Sequence, residues 1–202
     1  MENRKTKILL TCCILLLLFT FYLLNQNQNN TQVQSNLSTF ITKLQVKQDF
    51  YQTNFKLETE MTGLHAPDIT CLESYNAKKL SEIIKGKPIL ICVYKIECSS
   101  CEKNELNELH EIFQDHLESV YILCSHIIKR QIYVYAKEQK INIPILGISP
   151  DSFNWEAENN NKPYCFVLHP DMKISHVYLP SKDYADLNKQ YLKSVKRLFF
   201  EK

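Results

Sequence analysis

The chain has 202 residues, of which 45% are hydrophobic and 23% charged, with a formal net charge of +2. That balance suits one folded domain with extensions and excludes a disordered polar chain. Glu2, Arg4, Lys5 and Lys7 account for the whole net charge, so residues 25–202 are neutral overall; they lack the basic footprint of a nucleic-acid binder, and no nucleic-acid partner is expected.

Residues 8–24, "ILLTCCILLLLFTFYLL", carry no charge. They run into "NQNQNN" without the small-x-small site that a cleaved signal peptide needs, so the segment reads as a retained single-span anchor at the short end of bilayer-crossing length. Cys12 and Cys13 fall early in the apolar run and read as membrane-buried residues, not as lipid attachment points. The basic residues 4–7 should stay in the cytoplasm and place the C-terminal part outside it, in the periplasm if the host is bacterial. Residues 25–36 are polar and low in complexity and read as a spacer. Leu37, Phe40, Ile41, Leu44, Tyr51 and Phe55 approach helical spacing, which suggests a short stalk helix within 25–61. The compact domain is expected to start near Thr62 and run to the C-terminus.

Within 62–202, short apolar runs alternate with helical patterns, the signature of an α/β layer structure. Strands are expected at 89–94, 120–124, 144–148, 164–168 and 174–179. The first two are apolar throughout, as strands covered on both faces should be. A helix follows residue 101 with the one-sided stripe Leu106, Leu109, Ile112, Phe113 and Leu117. A second is expected at 126–140. The last carries Tyr184, Leu187, Tyr191, Leu192, Val195, Leu198 and Phe199, with Asp183 as its expected N-cap.

Six of the eight cysteines lie beyond the anchor: Cys71, Cys92, Cys98, Cys101, Cys124 and Cys165. The stretch "KIECSSCEK" sets Cys98 and Cys101 at the junction of an apolar strand and a helix. Free N–H groups and the helix dipole there stabilise a thiolate. Two sulfurs one helical turn apart can attack a disulfide and then resolve the mixed intermediate. Glu97 opposes the effect by like-charge repulsion, and Glu102 and Glu105 suit the first helical turns without helping a thiolate. Cys92 and Cys165 lie inside apolar runs and read as core residues. Cys165 keeps a minor claim to a redox role through its closeness to residue 163. Cys71 and Cys124 are left open.

The segment from Ala66 to Leu109, with Ala66-Pro67-Asp68, the turn "LSEIIKGK", an apolar strand and C-x-x-C, resembles the start of a thioredoxin-like domain of the TlpA/ResA and AhpC/TSA (redoxin) group. Downstream, "NKPYCFVLHPDMKISHVYLP" is similar to the group's proline-strand-turn-strand segment. The resemblance spans about residues 62–200. It implies a thioredoxin-like α/β fold and thiol–disulfide exchange on exported proteins, without a cofactor. It also implies Cys98 as nucleophile, Cys101 as resolving thiol, and Lys162 with a cis Pro163 shaping a substrate groove. A membrane reductase could then serve as electron donor. The chain departs from the group's pattern in having Glu97 where an aromatic usually stands, Ser99-Ser100 between the cysteines, and Met172 in place of a turn glycine.

Two rivals stand beside this reading. A peroxidase is disfavoured, because position 95 is Lys where a peroxiredoxin needs Thr, and Arg130 and Arg197 are the only arginines beyond the anchor. A metal-binding or non-catalytic module is the other. Cys98, Cys101, Cys124 and His126 could hold zinc, or the pair could join His169 or His176 in a Sco-like copper site.

Overall fold

The computed structural model describes residues 2–73, 76–94, 100–149, 152–155 and 163–201, with the side chains of 2–14, 100–103, 126 and 127 excepted. The chain divides into two compact units, Met1–Gln52 and Thr53–Lys202.

Helix α1 runs from Glu2 to Met61. Residues 25–36, which read as a spacer, are helical. The hydroxyls of Thr31, Thr39 and Thr42 each donate to the carbonyl four residues back, so these polar side chains are satisfied within the helix itself. Among the described residues no helix is long and apolar enough to cross a membrane. The apolar segment 8–24 begins among residues whose side chains are not described.

The second unit starts at Thr53, nine residues before the Thr62 expected from the sequence, because the last turns of α1 build part of its core. Leu57 and Met61 are each only 2% exposed. On the same stretch, two polar side chains reach an edge strand of the sheet. The Asn54 carboxamide accepts the Leu179 N–H at 2.7 Å, and the Glu58 carboxylate accepts the N–H of His176 at 3.0 Å and that of Val177. The following residues continue the cover: Gly63 and Ala66 donate to the carbonyls of Ile174 and Met172, and Ile174 donates to Leu64. An open edge would otherwise present unpaired N–H groups for aggregation.

The described residues form a mixed seven-stranded sheet in the order β2-β1-β5-β4-β3-β6-β7. Its strands are β1 Thr70–Glu73, β2 Asn76–Lys79, β3 Ile89–Tyr94, β4 Val120–Ser125, β5 Ile145–Ile148, β6 Tyr164–Leu168 and β7 Ile174–Tyr178. Strands β3, β4 and β5 are parallel; β6 and β7 run antiparallel on one side, and β1 and β2 on the other. The hairpin β1–β2 was not legible in the sequence, since β2 is the exposed polar run Asn76-Ala77-Lys78-Lys79. Asp68 fixes the entry to α2 (Leu80–Ile83), accepting the N–H and hydroxyl of Ser81 at 2.9 and 3.0 Å.

Strand β3 is buried along its whole length, and its side chains alternate between two cores. Ile89, Ile91 and Val93 join Leu57, Met61, Leu80, Ile83, Phe153 and Phe166 on one face. Leu90, Cys92 and Tyr94 join the other, formed with helices α3 (Ser100–Ile112), α4 (His126–Glu138) and α5 (Ala185–Phe199). The expected cap of the last helix is corrected. A 3-10 turn at Lys182–Tyr184 precedes α5, and the Ser181 hydroxyl, not Asp183, accepts the exposed N–H there. Asn188 then ties α5 to this turn, exchanging bonds of 3.1 and 2.9 Å with the Ser181 backbone and accepting the Tyr178 hydroxyl at 2.9 Å.

Candidate active site at the strand ends

The parallel strands β3, β4 and β5 all end at one edge of the sheet, at Tyr94, Ser125 and Ile148. Helix α3 starts six residues after β3, and α4 follows β4 directly. The carboxyl ends of parallel strands, where loops turn into helix N-termini, are the usual place for binding and chemistry in open α/β sheets. β6 enters this edge from the opposite direction: Tyr164 is paired with Val93, so Pro163 comes beside the end of β3 next to Tyr94.

Of the four residues singled out from the sequence, Cys98 and Lys162 lie outside the described residues. Cys101 is the second residue of α3, with its backbone described and its side chain not. Pro163 is half-buried and immediately precedes β6. The Lys162–Pro163 peptide lies outside the described residues, as does the expected cis bond with it.

Directly beneath this edge is a polar contact that sequence reasoning missed. Tyr94 is 1% exposed and donates its phenol to Glu105 Oε2 at 3.2 Å; Glu105 is itself only 9% exposed. By its sequence position Glu105 suits the first turns of a helix, whereas the stripe of α3 turns it inward with Leu106 and Leu109, both buried. Burial, and then the Glu105 carboxylate, push the Tyr94 phenol well above its ordinary range, so it stays a proton donor. A void of about 10 Å³, lined by Tyr94, Glu105, Cys165, Tyr178 and Tyr191 among others, lies against the pair and is at most marginal for one water. Glu108, which also lines this void, pairs with Lys189 of α5 at 3.6 Å.

Cys71, Cys92, Cys124 and Cys165 are buried. Burial, followed by the Asp68 carboxylate, pushes the Cys71 thiol up to about 11. Burial pushes that of Cys124 up to about 12, against the partial relief of Lys129, and its sulfur donates to the Leu146 carbonyl at 3.6 Å. Such thiols are poor nucleophiles at neutral pH. Cys124 does sit at the functional edge, beside Tyr94 in the β3–β4 register. Among the described residues no three His, Cys, Asp or Glu side chains are grouped to hold a metal ion. His169 follows Leu168, which is paired with Ile89 at the start of β3, so it lies at the opposite end of the sheet from the α3 junction. Its ring and that of His176 instead bond the Ser175 hydroxyl, at 2.8 and 3.0 Å, and meet the Phe199 ring edge-on. That separation removes the geometric basis for His169 as a third ligand.

Cys92 and Cys165, read separately from the sequence as core residues, meet in the structure. They are directly opposed on β3 and β6, and their sulfurs are 2.8 Å apart. No signal in the sequence pairs them, because the register between strands 73 positions apart is set only by the fold.

No family model matches the chain, and no curated protein does. Solved structures do resemble it. A thiol:disulfide interchange protein from Bacteroides sp. superposes with a TM-score of 0.52 at 19% identity, covering 68% of this chain and 90% of its own. A cysteine mutant of PrxQ from Xylella fastidiosa gives 0.53 at 12% identity, covering 68% and 96%. Peroxidoxin BcpB from Mycobacterium tuberculosis gives 0.50 at 17%, covering 67% and 97%. The chain has a thioredoxin-like fold. At these identities the likeness shows the fold, and it gives no support to setting a peroxidase aside.

Proposed function

We propose that this protein is a thiol–disulfide oxidoreductase acting on protein thiols or disulfides through Cys98 and Cys101. The observation that supports the reading is the start of α3 at Ser100, six residues after β3 ends at Tyr94, the residue beside which Pro163 lies. In this reading the Cys98 thiolate, favoured by the helix N-terminus, attacks a substrate disulfide and displaces one substrate sulfur as thiolate. Cys101 then attacks the Cys98 sulfur of the mixed disulfide. The second substrate thiolate leaves and an internal disulfide remains; the reverse sequence oxidises a substrate dithiol. In this reading Lys162 and Pro163 would flank a groove for an extended substrate segment.

The same proposal keeps residues 8–24 as a membrane anchor, with the domain outside the cytoplasm and a membrane reductase as electron donor. The support is the uncharged run behind Arg4, Lys5 and Lys7. A reporter active only outside the cytoplasm, fused after Lys202, should then be active, and the chain should stay in the membrane fraction through a high-salt wash. Recovery of a soluble product starting near Asn25 would replace the anchor with a cleaved signal.

The exchange reading is tested by trapping. Cys101→Ser lacks the resolving thiol, so partners should accumulate as mixed disulfides on non-reducing gels, while Cys98→Ser should trap none. Equal trapping by both variants would overturn the roles given to the two sulfurs. Turnover of hydrogen peroxide that depends on Cys98 but not on Cys101 would favour the peroxidase reading.

A further inference from the structure

We infer that Cys92 and Cys165 form a second, structural disulfide that bolts β3 to β6 directly behind the candidate site. The two residues are opposed in register across antiparallel strands, an arrangement that brings Cβ atoms to about 4.5–5.5 Å and within reach of a bridge after a small adjustment. Both are free thiols in the structure, with the Cys165 thiol donating to the Cys92 sulfur at 2.8 Å, closer than two unbonded sulfurs rest. Cys92 is fully buried and Cys165 is 4% exposed. They are enclosed by Tyr94, Leu109, Leu192 and Val195 of the α3–α5 core. The contact with Cys92, followed by burial, raises the Cys165 thiol well above its ordinary range, so in the closed fold Cys165 is not a ready nucleophile.

Burial decides when the bond forms and how long it lasts. During folding, before α3 and α5 close over the strands, the Cys92 thiolate attacks one sulfur of a disulfide oxidant and displaces a thiolate. Cys165 then attacks the Cys92 sulfur and releases the second thiolate. Two protein thiols are oxidised and one disulfide is reduced to two thiols, which take up the two protons. Once the fold has closed, the adjoining void is too small to admit a reducing thiol. The bond therefore closes a loop spanning 73 positions and stays out of the exchange chemistry at the strand ends. The inference draws on the exported location only for the natural source of oxidant. It is independent of any activity of Cys98 and Cys101.

The test uses the full chain and a Cys98→Ser/Cys101→Ser variant, so that failure of the exchange reading leaves it intact. Both are unfolded, reduced, and refolded in a mixture of reduced and oxidised glutathione, then denatured, alkylated and mapped by mass spectrometry. The expected result is a dominant Cys92–Cys165 linked peptide in both proteins, resistant to dithiothreitol while folded and reduced at once when unfolded. In the double variant the oxidised form should melt roughly 5–10 °C above the reduced form. Recovery of Cys92 and Cys165 mainly as alkylated thiols in both proteins would overturn the inference. So would a linked form that melts no higher than the reduced one.

Discussion

The chain carries two cysteine pairs, one joining β3 to β6 and one in the sequence that follows β3, and the contrast between them separates the proposed chemistry from scaffolding. Cys98 and Cys101 are neighbours in sequence, on either side of the start of α3 at Ser100. Cys92 and Cys165 are distant in sequence, opposed in the middle of the sheet, and sealed between β3, β6 and the helices packed over them. In the proposed function the first setting would supply the two things a thiol needs to ionise, water and positive potential. The second supplies neither, which favours a lasting bond over turnover. Tyr94 stands between the two, four residues before Cys98 and two after Cys92, with its phenol held by Glu105.

The largest effect expected from this contrast is on exchange. Cys98→Ser should lower the rate of reduction of a disulfide substrate by about 10³-fold or more, since it removes the nucleophile. Cys92→Ala should leave that rate within about twofold while lowering the melting temperature. A comparable loss of exchange in both variants would erase the distinction.

Tyr94→Phe should be a smaller perturbation. It removes one partner of a buried hydrogen bond and should destabilise the domain by about 1–3 kcal/mol in denaturant unfolding. Unchanged stability would show that Glu105 finds adequate partners without the phenol. Glu58→Ala belongs in the same range, about 1–3 kcal/mol, because it strips the acceptor from two N–H groups on the edge strand β7.

The smallest effect is on alkaline stability. An unfolded thiol ionises near 9, whereas Cys71 and Cys124 in the fold are held up to about 11 and about 12. Below pH 9 both states keep their protons and stability is full. As pH rises from 9 towards 12 the unfolded state ionises first, so stability falls. The raised phenols of Tyr94, Tyr121 and Tyr191 act in the same direction. Unfolding free energies followed from pH 8 to 11 should decline, and Cys124→Ala should decline less steeply than the wild type. Parallel curves would remove Cys124 from the account.

Much of the sheet was legible because its inner strands are covered on both faces and so appear as unbroken apolar runs, as in "ILICVY" for β3 and "YCFVL" for β6. The hairpin β1–β2 escaped because its outer strand is polar and exposed. At the end of α1, the side chains of Asn54 and Glu58 stand in for a neighbour strand along β7, a role that depends on the fold and on no local pattern. At the candidate site, C-x-x-C is a local pattern and could be read directly. The inward turn of Glu105 and the meeting of Cys92 with Cys165 depend on helix phase and strand register, which no short stretch of sequence encodes.

One measurement bears most directly on the central claim. The folded chain is equilibrated in glutathione buffers of graded potential, quenched, differentially alkylated and mapped at each cysteine. Cys98 and Cys101 should titrate together as one two-electron couple, while Cys92 and Cys165 stay linked across the whole series. Cys98 and Cys101 remaining free at every potential would contradict the assignment of exchange to that pair.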